Sequence, residues 1–216
     1  MRIRTPWIFT LCAGTYDTIT AQEPWRRHCR HMVSQVPGPR VLDLGIGPGV
    51  SAIEMTRAAP KYTLTGVDCS TAMLRRAKRH ITEAGVAMNL VGADVARLPF
   101  ANHSYDGATG HSFLYLIDDS DAALREVHRV VRPGGGVAFL EPNGVIGAAR
   151  LRTVFRSYRH GFRFGTSMLL WSVASRLHGR YTPQTLAAQL SRCGFADPLV
   201  SPAFDGLGLL ATAVRP

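Results

Sequence analysis

An apolar run that closes on glycines, Arg40-Val41-Leu42-Asp43-Leu44-Gly45-Ile46-Gly47-Pro48-Gly49, constrains this chain more than any other stretch. Such a run reads as a buried parallel strand that turns at once into a helix. Three alternate positions without side chains let a ligand lie against the backbone. Taken alone, the turn is only a tight corner, but the chain repeats the pattern. A helix is predicted from Val50 to Ala58, a strand over Tyr62–Asp68, and a helix capped by Ser70 with Met73, Leu74, Ala77 and Ile81 at helical spacing. Further strands are predicted at Ala87–Val91, Tyr105–Phe113, Gly136–Leu140 (after the breaker Pro133-Gly134-Gly135), Leu199–Ala203 and Leu207–Val214. Helices fall at Asp121–Val131 and, behind Thr182-Pro183, at Gln184–Cys193. Strand-helix alternation of this kind implies right-handed crossovers. The expected fold is α/β, a Rossmann-like doubly wound sheet of seven strands, mostly parallel with an antiparallel last strand.

With 216 residues, 46% of them hydrophobic, one core is expected, so residues 1–216 read as a single domain. Cys12, Cys29, Cys69 and Cys193 are scattered and form no C-x-x-C pair, which argues against a metal site or a disulfide framework and fits a reducing cytoplasm. Arg2 and Arg4 before the apolar run 7–13 loosely imitate a signal peptide. The run is short, and no segment approaches the roughly 20 apolar residues that span a bilayer.

Ligands of open parallel sheets bind beyond the carboxyl ends of the strands. The second strand ends at Asp68, about 20 residues past the glycine turn, where an acid can accept hydrogen bonds from ribose hydroxyls. A dinucleotide would favour G-x-G-x-x-G, and Asp43 just before the turn would repel a pyrophosphate. The same carboxylate suits the ammonium group of a methionine moiety, and Asp94, after the third strand, suits an adenine amine. Three acids aimed at one cleft favour S-adenosylmethionine.

Taken together, residues 41–49, Gly66-Val67-Asp68-Cys69-Ser70, Gly92-Ala93-Asp94 before Leu98-Pro99-Phe100, and Leu124-Arg125-Glu126-Val127 leading to Val131-Arg132-Pro133-Gly134-Gly135 resemble the successive motifs of class I S-adenosylmethionine-dependent methyltransferases, specifically the small-molecule branch with a ubiquinone-methyltransferase-like core. The resemblance covers about Arg40 to Glu141 and resumes from Tyr181 to Phe195. It implies that Gly45, Gly47 and Gly49 cradle the methionine part, that Asp68 binds ribose, that Cys69 and Met73 line the adenine, and that Ala93 and Asp94 close its polar edge. His111, just past the fourth strand, would sit near the methyl group. Pro48 departs from many relatives, which carry Thr or Cys there.

Candidate bases are His111, Glu141, Tyr16 and Tyr115. An ordinary strand-end role competes for His111 and for Glu141, and Tyr16-Asp17 resembles an N-terminal segment that folds over the cofactor. Residues 1–39 are expected to form an N-terminal helical cap.

The formal charge of +10 is concentrated. From Asn143 to Ala196 there are eight arginines and no acid. Leu151, Phe155, Tyr158 and Phe162 mark one helical stripe, and Arg152, Arg156, Arg159 and Arg163 the adjoining one, followed by the apolar stretch 168–174. Residues 143–180 are therefore expected to be a basic helical lid inserted after the fifth strand, over an apolar or lipid-like small-molecule acceptor. The arginines suit an anionic membrane surface, or equally an anionic acceptor. Expected localisation is cytoplasmic, with room for peripheral contact at the inner face of the membrane. A nucleic-acid acceptor is disfavoured, since no RNA-binding module accompanies the high pI. A phospholipid methyltransferase and a non-catalytic S-adenosylmethionine-binding adaptor stand as alternatives, and the oligomeric state is left open.

Overall fold

The computed structural model describes residues 22–144 and 147–216. Its strands are β1 (Arg40–Leu44), β2 (Thr63–Asp68), β3 (Asn89–Gly92), β4 (Tyr105–His111), β5 (Val131–Pro142), β6 (Ala196–Ala203) and β7 (Gly208–Val214). They form one sheet in the order β3-β2-β1-β4-β5-β7-β6. β1 to β5 are paired in parallel, and β7 runs antiparallel to both neighbours. Parallel neighbours need crossovers. Helices α2 (Val50–Ala58), α3 (Thr71–Ala84) and α4 (Ser120–Val130) follow β1, β2 and β4 in turn. Helix α1 (Glu23–Val33) precedes the sheet, while α5 (Gly147–Ser157), α6 (Phe162–His178) and α7 (Pro183–Arg192) lie between β5 and β6. The expected Rossmann-like architecture is thus present, and the strand order reverses between β1 and β4, where such sheets open a crevice.

Local chemistry accounts for the element ends. Ser70 accepts a hydrogen bond from the Met73 N–H at 3.3 Å, and Thr182 and Thr185 form a reciprocal capping box on α7 behind Pro183. Two expectations need correction. Pro133-Gly134-Gly135 does not precede β5 but lies inside it. The register shifts between Tyr105 and Gly107, Gly134 adopts φ +72°, and the bulged segment pairs with Arg215 instead. Nor is the arginine stripe one helix. α5 stops at Ser157, a 3₁₀ turn occupies Tyr158–His160, and Gly161 at φ +110° starts α6 on a new course. The apolar stripe consequently splits: Phe155 and Phe162 are 71% and 77% exposed, and Val154 takes the buried position.

Because strand residues alternate between faces, the two sides of the sheet bury different sets. Leu42, Leu44, Val137 and Phe139 pack with Leu124, Val127, Leu186 and Leu190 of α4 and α7. Val41, Ala138 and Leu140 pack on the other face with Trp25 and Met32 of α1, Met55 of α2, and Phe164, Met168 and Trp171 of α6. Helix α1 is tied to α2 through Glu54, which is buried and bonded to Arg30 at 2.7 Å.

Candidate active site

Alternation decides which side chains reach the crevice. Asp43 shares the face of Val41, and Thr109 of β4 lies beside it, so the Thr109 hydroxyl donates to Asp43 Oδ1 at 2.9 Å. Both are buried, and burial pushes the Asp43 carboxyl up to about 7. Asp43, Gly45, Ile46, Pro48, Val50, Ser51 and His111 enclose a pocket of about 10 Å³. That is room for about one water molecule.

The turn after β1 needs its glycines. Gly45, Gly47 and Gly49 have φ of +64°, +53° and +83°, left-handed values that side chains rarely adopt. At Gly47 a Cβ would come no nearer to another atom than 3.9 Å, so the turn is open above its backbone. Asp68 holds the turn from the neighbouring strand. Its Oδ2 accepts the Gly47 N–H at 2.9 Å and its Oδ1 the Ser70 N–H at 2.8 Å. Each carboxylate oxygen keeps a second lone pair for a ligand hydroxyl. Asp68 is thus both a brace and an available acceptor, and burial shifts its carboxyl upward.

Along the same edge, the exposed Cys69 follows Asp68, Met73 is buried on α3, and the half-buried Ala93 and Asp94 follow β3. The Asp94 Oδ1 accepts the Ala96 N–H at 2.9 Å, which closes a local turn. Open backbone over Gly47, spare acceptor positions on Asp68, and the buried Asp43 form a donor and acceptor set that fits a cationic, ribose-bearing cofactor.

His111 ends β4 with its ring 6% exposed and 4.4 Å from that of Trp25, measured between centroids. Burial pushes its pKa down to about 3, so the imidazole is neutral and a weak base. Ser112 follows in a left-handed conformation, φ +57°, unusual for a residue with a side chain and a form of strain that collects at functional sites. Its Oγ accepts the Trp171 Nε1–H at 2.8 Å, which joins α6 to the end of β4. Phe204 stacks on Trp25 at 4.9 Å and Trp171 stands edge-on to it at 5.9 Å. An aromatic layer therefore covers His111. Trp25, Thr109, Ser112, Trp171 and Phe204 escaped the reading of the sequence. Trp25, Cys29, Met32 and Val33 are legible as an apolar helix face, but the neighbour that face meets is set by the tertiary fold.

The other candidate bases are placed differently. Glu141 is fully buried, and its carboxylate accepts backbone N–H groups from Phe113 at 3.1 Å, Leu114 at 3.0 Å and Tyr115 at 3.4 Å. It caps the 3₁₀ turn Leu114–Leu116, and burial raises its carboxyl to about 8 despite those bonds. The strand-end reading, not the catalytic one, describes its contacts. Burial raises the Tyr115 phenol to about 12, with its hydroxyl engaged by Ser112. Tyr16 lies outside the described residues, as does most of the segment before α1.

On the outer face, Arg152, Arg156, Arg159 and Arg163 are all exposed, beside Phe155, Phe162, Leu169, Leu170 and Val173. The fold supplies one acid that the local sequence lacks, since Asp205 from the β6–β7 turn lies 3.7 Å from Arg159 and 3.1 Å from His160. Among the described residues no helix is long and apolar enough to cross a membrane.

Residues 41–135 match the methyltransferase domain family. The chain is 33% identical over 140 residues to a ubiquinone/menaquinone biosynthesis C-methyltransferase of Desulfotalea psychrophila, covering 62% of this chain and 56% of that one. To a demethylmenaquinone methyltransferase of Thermus thermophilus it is 27% identical over 202 residues, covering 88% and 91%. At 30% identity or better, the matched stretch spans only a little over half the length of these curated relatives, between 52% and 61%. A crystal structure of an S-adenosylmethionine-dependent methyltransferase from Aquifex aeolicus superposes with a TM-score of 0.68 at 13% identity, covering 93% of each chain, which shows the shared fold. Residues 41–135 thus carry the match to a methyltransferase domain, and the chain is similar in its motifs and strand order to S-adenosylmethionine-dependent methyltransferases, among them ubiquinone/menaquinone C-methyltransferases.

Proposed function

We propose that this chain transfers a methyl group from S-adenosylmethionine to an apolar small-molecule acceptor, with the reacting site at the carboxyl ends of β1, β2 and β4. The observation that carries this reading is the Asp68 carboxylate, which braces the Gly47 backbone and keeps acceptor capacity facing the crevice. In this reading Gly45, Gly47 and Gly49 cradle the methionine part and Asp43 faces its ammonium group. Asp68 takes the ribose hydroxyls, Cys69 and Met73 flank the adenine, and Ala93 and Asp94 meet its polar edge.

The cofactor, when bound, supplies a sulfonium methyl that is already activated. What the chain's residues add is placement. Holding two reactants in line is worth roughly 7–11 kcal/mol, whereas a positioned base contributes about 10²–10⁴-fold. A neutral, buried His111 serves better as a hydrogen-bonding partner for the acceptor than as its base, and Glu141 acts at one remove by fixing the turn that follows His111. The aromatic layer of Trp25, Trp171 and Phe204 keeps water out. Residues 1–39, with α1, would cap the site, and residues 143–180, with α5 and α6, would form its lid.

The C-methyltransferase of Desulfotalea psychrophila and the demethylmenaquinone methyltransferase of Thermus thermophilus, by their names, act in quinone biosynthesis, which supports an apolar acceptor here. A reduced demethylmenaquinone analogue incubated with methyl-labelled S-adenosylmethionine and the protein should yield extractable, labelled product. Cofactor binding without transfer to this or any other apolar acceptor tried would leave the adaptor reading.

A peripheral membrane contact is a second part of the proposal. It is supported by the exposed Phe155 and Phe162 beside Arg152, Arg156 and Arg163, which have no carboxylate partner among the described residues. Basic and aromatic groups on one surface suit the headgroup region of an anionic bilayer, with about 1 kcal/mol per arginine. In this reading the protein is cytoplasmic and touches the inner face of the membrane.

A further inference from the structure

Two neighbouring side chains in the aromatic layer lack a hydrogen-bond partner among the described residues. Trp25 is fully buried on α1, and among the described residues its Nε1–H has no hydrogen-bond partner; at the end of β4 neither ring nitrogen of the buried His111 has one. The two rings are 4.4 Å apart between centroids. A buried indole N–H ordinarily finds an acceptor, and an orphaned buried polar group calls for an explanation. The polar side chains nearby are committed elsewhere. The Ser112 hydroxyl receives Trp171, and the Asp43 carboxylate receives Thr109. Each orphaned group comes from a different element, so a defect of one helix or one strand does not produce the pair.

We propose that Trp25 and His111 are an acceptor-binding pair that recognises one hydroxyl on a flat ring. The indole N–H donates to the hydroxyl oxygen, and an unprotonated ring nitrogen of His111 accepts its proton. A hydroxyl satisfies both groups with one atom, whereas a carbonyl accepts only. The flat ring follows from the surroundings, because Phe204 stacks on Trp25 and Trp171 stands edge-on to it, geometries that an aromatic guest can share. The pocket beside His111 holds about one water, so a guest ring requires Trp171 to give up its bond to Ser112 and withdraw from Trp25. A pKa held low by burial keeps His111 in the unprotonated form that accepting requires. This inference rests on reading the crevice as a methyl-transfer site and specifies what that site selects.

The test is equilibrium dialysis of 1-naphthol and of naphthalene against the protein saturated with S-adenosylhomocysteine, using wild type, Trp25→Phe and His111→Phe. Wild type should bind 1-naphthol about tenfold more tightly than naphthalene, the difference a buried, paired hydroxyl makes. Trp25→Phe keeps an aromatic ring but loses the indole N–H together with the pyrrole ring's volume, so its naphthol preference should fall severalfold, as should that of His111→Phe. Trp25→Phe should lose some stability from its reduced core volume but still unfold cooperatively and bind S-adenosylhomocysteine as wild type does, which separates a lost contact from a lost fold. No preference in wild type, no binding of 1-naphthol, or a preference that survives both substitutions would overturn the pair. Should one variant fail to fold, the other decides. Failure of wild type to bind S-adenosylhomocysteine at all would count instead against the cofactor reading.

Discussion

The backbone N–H of Gly47 donates to Oδ2 of Asp68 at 2.9 Å, so the glycine turn after β1 and the acid that ends β2 form one unit. Two marks that the sequence sets about 20 residues apart are thus a single device at the point where the strand order reverses. An acid that only touched ribose could be removed without cost to the apoprotein. This one cannot.

Asp68→Ala should therefore lower S-adenosylhomocysteine affinity at least tenfold and also destabilise the unliganded protein by about 1 kcal/mol, the net worth of the hydrogen bonds lost from partly buried N–H groups. Asp68→Asn, which keeps one acceptor oxygen, should fall between. Calorimetry and denaturant unfolding on both variants check this, and unchanged stability in Asp68→Ala would show that the brace is dispensable.

Asp43 makes the site sensitive to pH. Its folded pKa is raised from 3.8 to about 7 by burial, so its contribution to stability is full below about pH 4 and is lost as pH rises through 7. Glu141, raised to about 8, acts in the same direction, so the comparison of wild type with Asp43→Asn isolates the first group. Wild-type apoprotein should lose more stability between pH 4 and 7 than Asp43→Asn does. Cofactor affinity should rise from pH 6 to 8 as the carboxylate ionises to meet the ammonium group, and this rise should vanish in Asp43→Asn.

His111 acts with the opposite sign. Its pKa is depressed from 6.5 to about 3, so its stability contribution is present above pH 6.5 and is lost as pH falls toward 3. Unfolding followed between pH 7 and 4 should show a shallower acid limb in His111→Asn than in wild type. Equal slopes would mean that the imidazole is hydrated in solution.

Glu141→Gln tests positioning against base catalysis. The substitution replaces one carboxylate oxygen with an amide NH2, so either the Tyr115 N–H or the Phe113 and Leu114 N–H pair loses its acceptor, and this should cost about 1–3 kcal/mol of stability. Turnover should fall while the pH dependence of kcat keeps its shape. A lost basic limb would instead assign the proton transfer to Glu141.

Most of the sheet was legible because each buried parallel strand is an apolar run between breakers. β1, β2 and α2 fall within about one residue of where periodicity puts them. The lapses have identifiable causes. Gly134 sits in a bulge that only the partner strand defines, and Gly161 breaks a stripe whose spacing looked continuous through Tyr158. For the site, alternation was enough to direct Asp43 inward, but not to reveal Thr109 as its partner. Glu141 looked like a candidate base because sequence shows the carboxylate and hides the three N–H groups that surround it. Trp25 was hidden for the same reason, since an unsatisfied N–H is visible only once every neighbour is in place.

The lid surface is open to a separate check. Sedimentation with vesicles containing anionic lipid at low salt should carry the protein down, and replacing Arg152, Arg156, Arg159 and Arg163 with Gln should abolish this. Retention of binding after Phe155→Ser and Phe162→Ser alone would restrict the contact to charge.

The central claim, that the crevice between β1 and β4 is built for S-adenosylmethionine, is tested most directly by calorimetric titration with S-adenosylhomocysteine beside NAD. Micromolar binding of the first and none of the second is the predicted result. Binding of NAD with no response to S-adenosylhomocysteine would contradict it, and would make the Asp43, Gly47 and Asp68 arrangement a dinucleotide site.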